Sequence, residues 1–301
     1  MGFRELRRKM KWVDPFTYVE KYVIERLEPL SQNAKHVVFA ACLAFLSIAS
    51  LTIVPSASGS LPLLAVIVAG LSIFYFHDRK EGLDWAVYIS FAFAFAWLLF
   101  TGTGLLLGTS SPMVIVLSGS MEPLYHRGDV IILQGASPEN LAGPEAAVQR
   151  ESLAQLPFSS FADPAYSDQA EGIIEGISLK DSGQVIGITR QGSIVVYWSE
   201  LRQQPIIHRV VAKLHALDGW YILTKGDSVH NPTIDQDCGA VDAMHIPEKP
   251  CIQLFPVRVE ELQGKAILQV PFVGCFKLWL LDDLASLVST GKLPADFAGL
   301  C

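Results

Sequence analysis

Residues 37–54 (VVFAACLAFLSIASLTIV) carry no charged side chain, and neither do residues 61–76 (LPLLAVIVAGLSIFYF) or 85–108. A helix that crosses a bilayer takes about 20 apolar residues, within a range of about 17–25. The first and third runs meet that length, and the second meets it when extended back to Ala57, since 57–76 is also free of charge. Three consecutive runs of this kind are hard to bury in a soluble core, so the sequence predicts three spanning helices within 36–108. The first run starts too far into the chain, and lacks the flanks, for a cleaved secretion signal.

Charge in the loops predicts an orientation. The segment 1–35 is basic, with Arg4, Arg7, Arg8, Lys9, Lys11, Lys21, Arg26 and Lys35. The loop at 55–60 has no Lys or Arg, and the loop from His77 to Gly82 has Arg79 and Lys80. Basic, neutral, basic places 1–35 and the second loop in the cytoplasm, so three crossings deliver residue 109 onward to the outer face. Within the tail, Tyr18, Val19, Tyr22, Val23 and Leu27 recur at helical spacing. An interfacial helix and an amphipathic cytoplasmic helix both fit that pattern.

Beyond residue 108 the period changes. Short Val- and Ile-rich runs are bounded by Gly, Pro and Asp: Met113–Leu117, Asp129–Leu133, Ser193–Tyr197, Ile206–Ala212, Trp220–Thr224 and Val257–Val259. These lengths and residue types predict strands of a mostly-β extracytoplasmic domain over 109–265. Residues 134–188 read differently. They are acidic and rich in Ser, Ala and Pro, which predicts a surface insertion that is partly disordered or weakly helical. From Ala266 to Ser289 the chain is apolar again but broken by Pro271, Gly274, Lys277, Asp282 and Asp283. A helix packed on the β domain, or lying on the membrane, is the reading for 266–289, within a C-terminal segment 266–301 able to associate with the membrane.

The net charge of −7, with residues 109–301 acidic, argues against a nucleic-acid partner. Five cysteines, Cys42, Cys238, Cys251, Cys275 and Cys301, contain no C-x-x-C pair, so no zinc or thioredoxin-like motif is indicated. Cys42 falls in an apolar run as a small core residue. Cys238 and Cys251 are able to pair if they face an oxidising compartment.

Three stretches carry chemistry-bearing side chains. The first is Ser118-Gly119-Ser120-Met121-Glu122-Pro123, followed by His126-Arg127-Gly128-Asp129. The second is Ile207-His208-Arg209-Val210-Val211, and the third is Thr224-Lys225-Gly226-Asp227 with Asn231-Pro232-Thr233-Ile234-Asp235. Each has a bland reading alone, as a turn, a structural histidine in a strand, and an acidic turn. Together they supply a hydroxyl, an imidazole and a carboxylate, the parts for nucleophilic acyl transfer. A serine hydroxyl needs a base to take its proton. A neutral imidazole suits that task, and a carboxylate orients the ring and stabilises the imidazolium. Spacing along the chain does not show whether the three meet.

The segment Val116–Leu133 (VLSGSMEPLYHRGDVIIL) resembles the nucleophile box of type I signal peptidases, in the form found in the archaeal and endoplasmic-reticulum branch. The family's Gly-x-Ile-Val-Val strand is matched at Gly192–Val196, its H-R-V box at His208–Val210, its T-K-G-D box at Thr224–Asp227 and its Pro-aromatic-x-Gly segment at Pro271–Gly274. The order agrees throughout, and the resemblance covers most of 112–275 apart from the insertion. It implies a signal-peptidase-like β fold and a membrane-bound serine endopeptidase that needs no metal or organic cofactor. Ser120 matches the nucleophile. His208 matches the general base, where the bacterial branch has lysine. Asp235 matches the third catalytic residue, Asp227 a second acidic residue, and Ser118 a serine that helps bind the oxyanion. One departure stands out. Ser228, Val229 and His230 separate the Gly-Asp pair from Asn231, where the family places asparagines directly. That leaves the choice between Asp227 and Asp235 open, and makes His230 a competing base. Lys213 and Lys225 are able to act as bases but do not stand at the family's base position.

The implied substrates are preproteins with a membrane-spanning signal and small residues before the cut. The implied partners are those preproteins, the bilayer and the export machinery. Met113–Leu117 leads directly to Ser120 and, as an extended strand, offers an edge to an extended substrate. Met113 and Ile115 are the candidates for pocket walls. A catalytically silent membrane receptor or assembly factor with a peptide-binding β domain also accounts for the helices and strands. It gives no reason for Ser120, His208 and Asp235 in family order. A self-cleaving repressor of related fold would carry lysine as base and no membrane runs.

Overall fold

A computed structural model describes residues 15–53, 60–167, 174–242 and 244–279, with the side chains of 49–53 and 60–66 excepted. The first 14 residues of the basic tail, most of the first loop and residues 280–301 lie outside these. The chain divides into two compact units, Met1–Gly102 and Thr103–Cys301.

The first unit is helical. Residues 15–27 form α1, with a π-helical stretch at Glu20–Ile24 between α-helical Pro15–Val19 and Glu25–Leu27. Val19 and Ile24 are its buried positions, while Tyr18, Tyr22 and Val23 are exposed. Three long helices follow: α2 (Gln32–Ile53), α3 (Ser60–His77) and α4 (Arg79–Leu107). Tyr75 stacks on Phe39 at 3.9 Å and its hydroxyl meets His36 Nδ1 at 2.7 Å, tying α3 to α2. The loop read as His77–Gly82 contracts to Asp78. Its Oδ1 accepts the N–H groups of Lys80 and Glu81, so it caps α4, which starts at Arg79. Among the described residues one helix, α4, is long and apolar enough to cross a membrane. Its 29 residues rise roughly 44 Å.

The second unit is mostly β. Its main sheet has the order β1-β2-β11-β7-β8-β9-β10, and every neighbouring pair in that order is antiparallel. The strands are β1 (Met113–Ile115), β2 (Val130–Gln134), β7 (Ile194–Ser199), β8 (Gln204–Ala216), β9 (Gly219–Lys225), β10 (Val257–Arg258) and β11 (Gly264–Val270). β7 is buried on both faces, so it reads as a continuous apolar run, Ile194–Tyr197, with no alternation. Val195 and Tyr197 face one core, shared with Val210 and Ile222. Ile194 and Val196 face another, shared with Met121 and Ile131.

β8 does two jobs along its 13 residues. Residues 204–209 pair with β7, and the ladder to β9 starts only at Arg209 with Lys225. From 204 to 208 the strand is therefore paired on one side. His208 is the last residue of that half-paired stretch.

Two expectations need correction. Residues 134–188 are not a loose insertion where they are described. β3 (Glu145–Ala147) adds in parallel to β8, and β4 (Ala162–Tyr166), β5 (Ile174–Leu179) and β6 (Val185–Gly187) form a second antiparallel sheet. Leu153, Phe158, Phe161, Ile177 and Leu179 converge with Val211, Leu214 and Tyr221 of the main sheet in one buried cluster. The short helix α5 (Phe158–Phe161) supplies both phenylalanines. Sparse apolar residues suffice here because the main sheet supplies the other half of the core. The second correction concerns 266–289. Its first residues belong to β11, which pairs with both β2 and β7. A short helix, α6 (Cys275–Lys277), follows. The remainder of that segment, from residue 280, is outside the described residues.

Candidate active site

Ser120 sits on the loop between β1 and β2. Reciprocal backbone bonds, Val116 N–H to Asp129 O at 2.9 Å and Gly128 N–H to Val116 O at 2.8 Å, close the base of this loop. Met121, fully buried beside Val116, Tyr125 and Ile131, anchors the residue next to Ser120. Asp129, also fully buried, accepts His126 N–H at 2.8 Å, Gln269 Nε2 at 2.6 Å and Phe272 N–H at 3.1 Å. The S-G-S-M-E-P…G-D pattern thus has a local cause: a buried methionine and a buried, fully bonded aspartate fix the loop from both ends.

His208 Nε2 lies 2.9 Å from Ser120 Oγ, and His208 Nδ1 lies 2.6 Å from Asp235 Oδ2. The ring and the carboxylate are both about 1% exposed. An ionised carboxylate only accepts, so Nδ1 carries the proton and Nε2 is left to accept the Ser120 hydroxyl proton. Asp235 is reached through its backbone: its N–H donates to Thr224 O at 2.9 Å, and its carbonyl accepts the N–H groups of Ile252 and Gln253, each at 3.0 Å. The Cys238–Cys251 disulfide, with a Cα–Cα distance of 5.0 Å, closes the intervening loop one residue before Ile252.

Two hydroxyls that the sequence did not single out converge on Asp235. Thr224 Oγ1 donates to Oδ2 at 2.6 Å and Tyr197 OH at 2.9 Å. Oδ2 therefore takes three donors, while Oδ1 has no partner among the described residues. Tyr197 is fully buried, and burial with the neighbouring Asp235 charge holds its hydroxyl well above the ordinary phenol range. It remains a neutral donor. Thr224 belongs to the T-K-G-D box, which marked its position without its task. Tyr197, inside an apolar strand, carried no signal.

Asp227 lies elsewhere. It forms a two-pronged ion pair with Arg209, Nε to Oδ1 at 2.8 Å and NH2 to Oδ2 at 2.6 Å, and makes no bond to Ser120 or His208. Arg209 also donates to the carbonyls of Arg190 and Gly192. The pair braces the turn after β9, in which Ser228 N–H donates to Ser120 O at 3.0 Å. Gly226 is required there by proximity: a Cβ would stand 2.6 Å from Ser120 O and 3.1 Å from His208 Nε2. Ser118 Oγ is 3.4 Å from Ser120 Oγ. His230 is exposed and does not reach Ser120. Lys213 Nζ is consumed by Pro138 O, Leu141 O and Glu145 Oε1, which fasten the start of the 134–188 segment. Lys225 Nζ donates to Gly226 O at 2.9 Å, and burial pulls its amine below the ordinary lysine range.

A cleft of about 520 Å³ opens beside Ser120 and His208. Its apolar lining includes Ile115, Leu117, Ile206, Ile207, Ile252 and Leu278. Ile115 is thus a wall residue, whereas Met113 is not among the lining residues. One wall is the continuation of β1, and the other is the half-paired stretch of β8.

A Ser–His–Asp chain at hydrogen-bond distance, mounted in an antiparallel β fold beside an apolar cleft, defines the class of serine hydrolases that act on acyl groups. No family model matches the sequence. Among curated proteins it is similar to "Signal peptidase complex catalytic subunit SEC11" of Lodderomyces elongisporus, 26% identical over 204 residues, covering 68% of this chain and 86% of the relative. The protein of the same name from Colletotrichum graminicola is 28% identical over 200 residues, 66% of this chain and 79% of the relative. That of Schizosaccharomyces pombe is 27% identical over 209 residues, 67% and 85%. The chain is a homologue of these signal peptidase catalytic subunits and is a serine peptidase.

Proposed function

We propose that the protein is a membrane-bound endopeptidase that removes N-terminal signal peptides from exported preproteins after small residues. The observation that carries this reading is the hydrogen-bonded run Ser120–His208–Asp235. Ser120 is the nucleophile. His208 Nε2 takes its proton as Oγ attacks the scissile carbonyl carbon, and Asp235 stabilises the imidazolium that results. The oxyanion is held by the Ser120 backbone N–H and the Ser118 hydroxyl; loss of one such donor typically costs about 10²–10³ in rate. The tetrahedral species collapses as the C–N bond breaks, and His208 returns the proton to the leaving amine. Water, deprotonated by the same imidazole, adds to the acyl-enzyme and releases the signal peptide and free Ser120. Asp227 holds the turn behind Ser120 through Arg209.

The substrate lies extended between β1 and residues 204–208 of β8, each of which has an unpaired side. The small residues before the cut fit the apolar walls at Ile115, Leu117, Ile206 and Ile207. Three crossings within 36–108, with 1–35 cytoplasmic, place the catalytic domain of 109–265 on the outer face. The apolar length of α4 and the basic, neutral, basic loops support that arrangement. Exposed Phe272, Val273, Phe276 and Trp279 support contact of the 266–301 segment with lipid. The relatives' name as subunits of a complex supports work within a larger membrane assembly.

The test is cleavage of a preprotein by membranes carrying the protein. Ser120→Ala and Asp235→Asn leave the preprotein intact, whereas Asp227→Asn retains cleavage within about tenfold in its folded fraction, since only the brace is weakened. Equal cleavage by Ser120→Ala would sink the reading.

A further inference from the structure

The apolar walls of the cleft account for small side chains near the cut. They do not account for its charge. Apart from His208, the ionisable side chains lining the cleft are Arg127 and Arg202, and no Asp or Glu lines it among the described residues.

Arg202 stands in the turn between β7 and β8. Its backbone N–H donates to Ser199 Oγ at 3.0 Å, and one guanidinium nitrogen donates to Cys251 O at 3.1 Å. The next residue, Gln203, holds a left-handed φ of 52° and its side-chain amide donates to Glu200 O at 2.6 Å. Among the described residues no carboxylate pairs with Arg202. A guanidinium presents five donors in a planar fork matched to a carboxylate, and the Cys251 contact occupies one side of that fork. The side chain is thus aimed by a backbone carbonyl and left with donors over the cleft.

Position along the groove follows from strand geometry. Residues 204 and 208 of β8 are four apart, about 13 Å at a strand's rise. An extended substrate lying beside this stretch with its scissile bond at Ser120 brings a residue four to six positions from the cut level with Arg202. We propose that Arg202 is a specificity-determining residue that pairs with a carboxylate side chain of the substrate at that distance from the scissile bond. The pair is partly solvated, so it selects among substrates and is not required for turnover. Its size is that of an exposed ion pair, a two- to fivefold effect or about 0.4–1 kcal/mol, and it is screened by salt.

The inference rests on the peptidase reading above, and one experiment separates the two. The full-length protein in detergent is given peptides in which a single Asp, Lys or Ala is moved along the six positions on each side of the cut. At one position Asp raises kcat/KM about two- to fivefold over Ala and Lys lowers it, chiefly through KM, and the difference shrinks between about 0.05 and 0.5 M salt. Arg202→Glu reverses the order of Asp and Lys at that position, and Arg202→Gln flattens it. Cleavage with no charge preference at any position overturns the assignment of Arg202 and leaves the peptidase reading standing. So does a preference that survives unchanged in both variants. Failure of the parent to cut any peptide overturns both.

Discussion

Replacing Thr224 by valine removes one of the three hydrogen bonds that Asp235 Oδ2 accepts and leaves the shape of the side chain nearly unchanged. The lost bond, at 2.6 Å, is as short as the one from His208 Nδ1, and the remaining Tyr197 bond is 2.9 Å. A hydrogen bond to a charged group contributes about 1.5–3 kcal/mol. Expressed as a barrier, that range is roughly tenfold to a hundred-and-fiftyfold in rate. The bond matters most when His208 is protonated and the carboxylate must face Nδ1 through Oδ2. The loss therefore falls on kcat, with KM within about twofold. Tyr197→Phe removes the longer bond and costs less, about three- to tenfold. Thr224→Ser keeps the hydroxyl and recovers most of the activity. The assay is steady-state cleavage of a signal-bearing peptide by the detergent-solubilised protein, with folding of each variant checked by thermal unfolding. Wild-type kcat in Thr224→Val, or equal losses in the valine and serine variants, would refute the idea that hydroxyl donation holds the carboxylate.

Two further outcomes follow from the same region. The double substitution Cys238→Ser with Cys251→Ser opens a loop with a sequence separation of 13 residues, between the backbone anchors of Asp235 and Ile252. It lowers unfolding free energy by about 3 kcal/mol and lowers kcat as Asp235 loosens; an unchanged melting temperature, or no response of the parent to reductant, counts against it. Lys225 carries a proton less readily in the fold than in the unfolded chain, because burial opposes its charge more than Asp235 and Asp227 favour it. Between its depressed value and the ordinary 10.5, the unfolded chain holds the extra proton, so stability rises with pH across that window. Lys225→Met removes that part of the slope and raises stability near neutrality, which denaturant unfolding at pH values from neutral to 10 would detect. An identical slope in the variant would count against burial of the charged amine.

How much of the site could be read from the chain depends on how each residue is held. Ser120 and His208 stand inside short patterns, the loop fixed by Met121 and Asp129 and the strand β8, although Asp129 is itself held by Gln269 and Phe272 from far along the chain. The choice between Asp227 and Asp235 could not be read, because both are acidic residues in turns after one strand. Register sets which of them meets His208: Arg209 lies beside Lys225 across the β8–β9 ladder and takes Asp227, while the Thr224 carbonyl draws Asp235 beneath the imidazole. Tyr197 and Arg202 were invisible for a related reason. One is an apolar-strand residue whose hydroxyl finds its partner only through the sheet, and the other is a turn residue whose importance lies in what it overlooks.

The sequence by itself determined the three apolar runs, the β character of the second unit and the presence of a hydroxyl, an imidazole and carboxylates in three short stretches. All of these depend on composition and short-range pattern. Tertiary structure decided what depends on distant pairing. Residues 134–188 complete a core because the face of the main sheet at Val211, Leu214 and Tyr221 is waiting for sparse apolar partners. Gly264–Val270 is a strand, not a helix, because β2 and β7 both present ladders to it. The cleft exists because β9 begins to pair with β8 only at Arg209, leaving the edge next to His208 open. Hydrogen-bond ladders and buried cores join residues many positions apart, and no local pattern encodes which of them will meet.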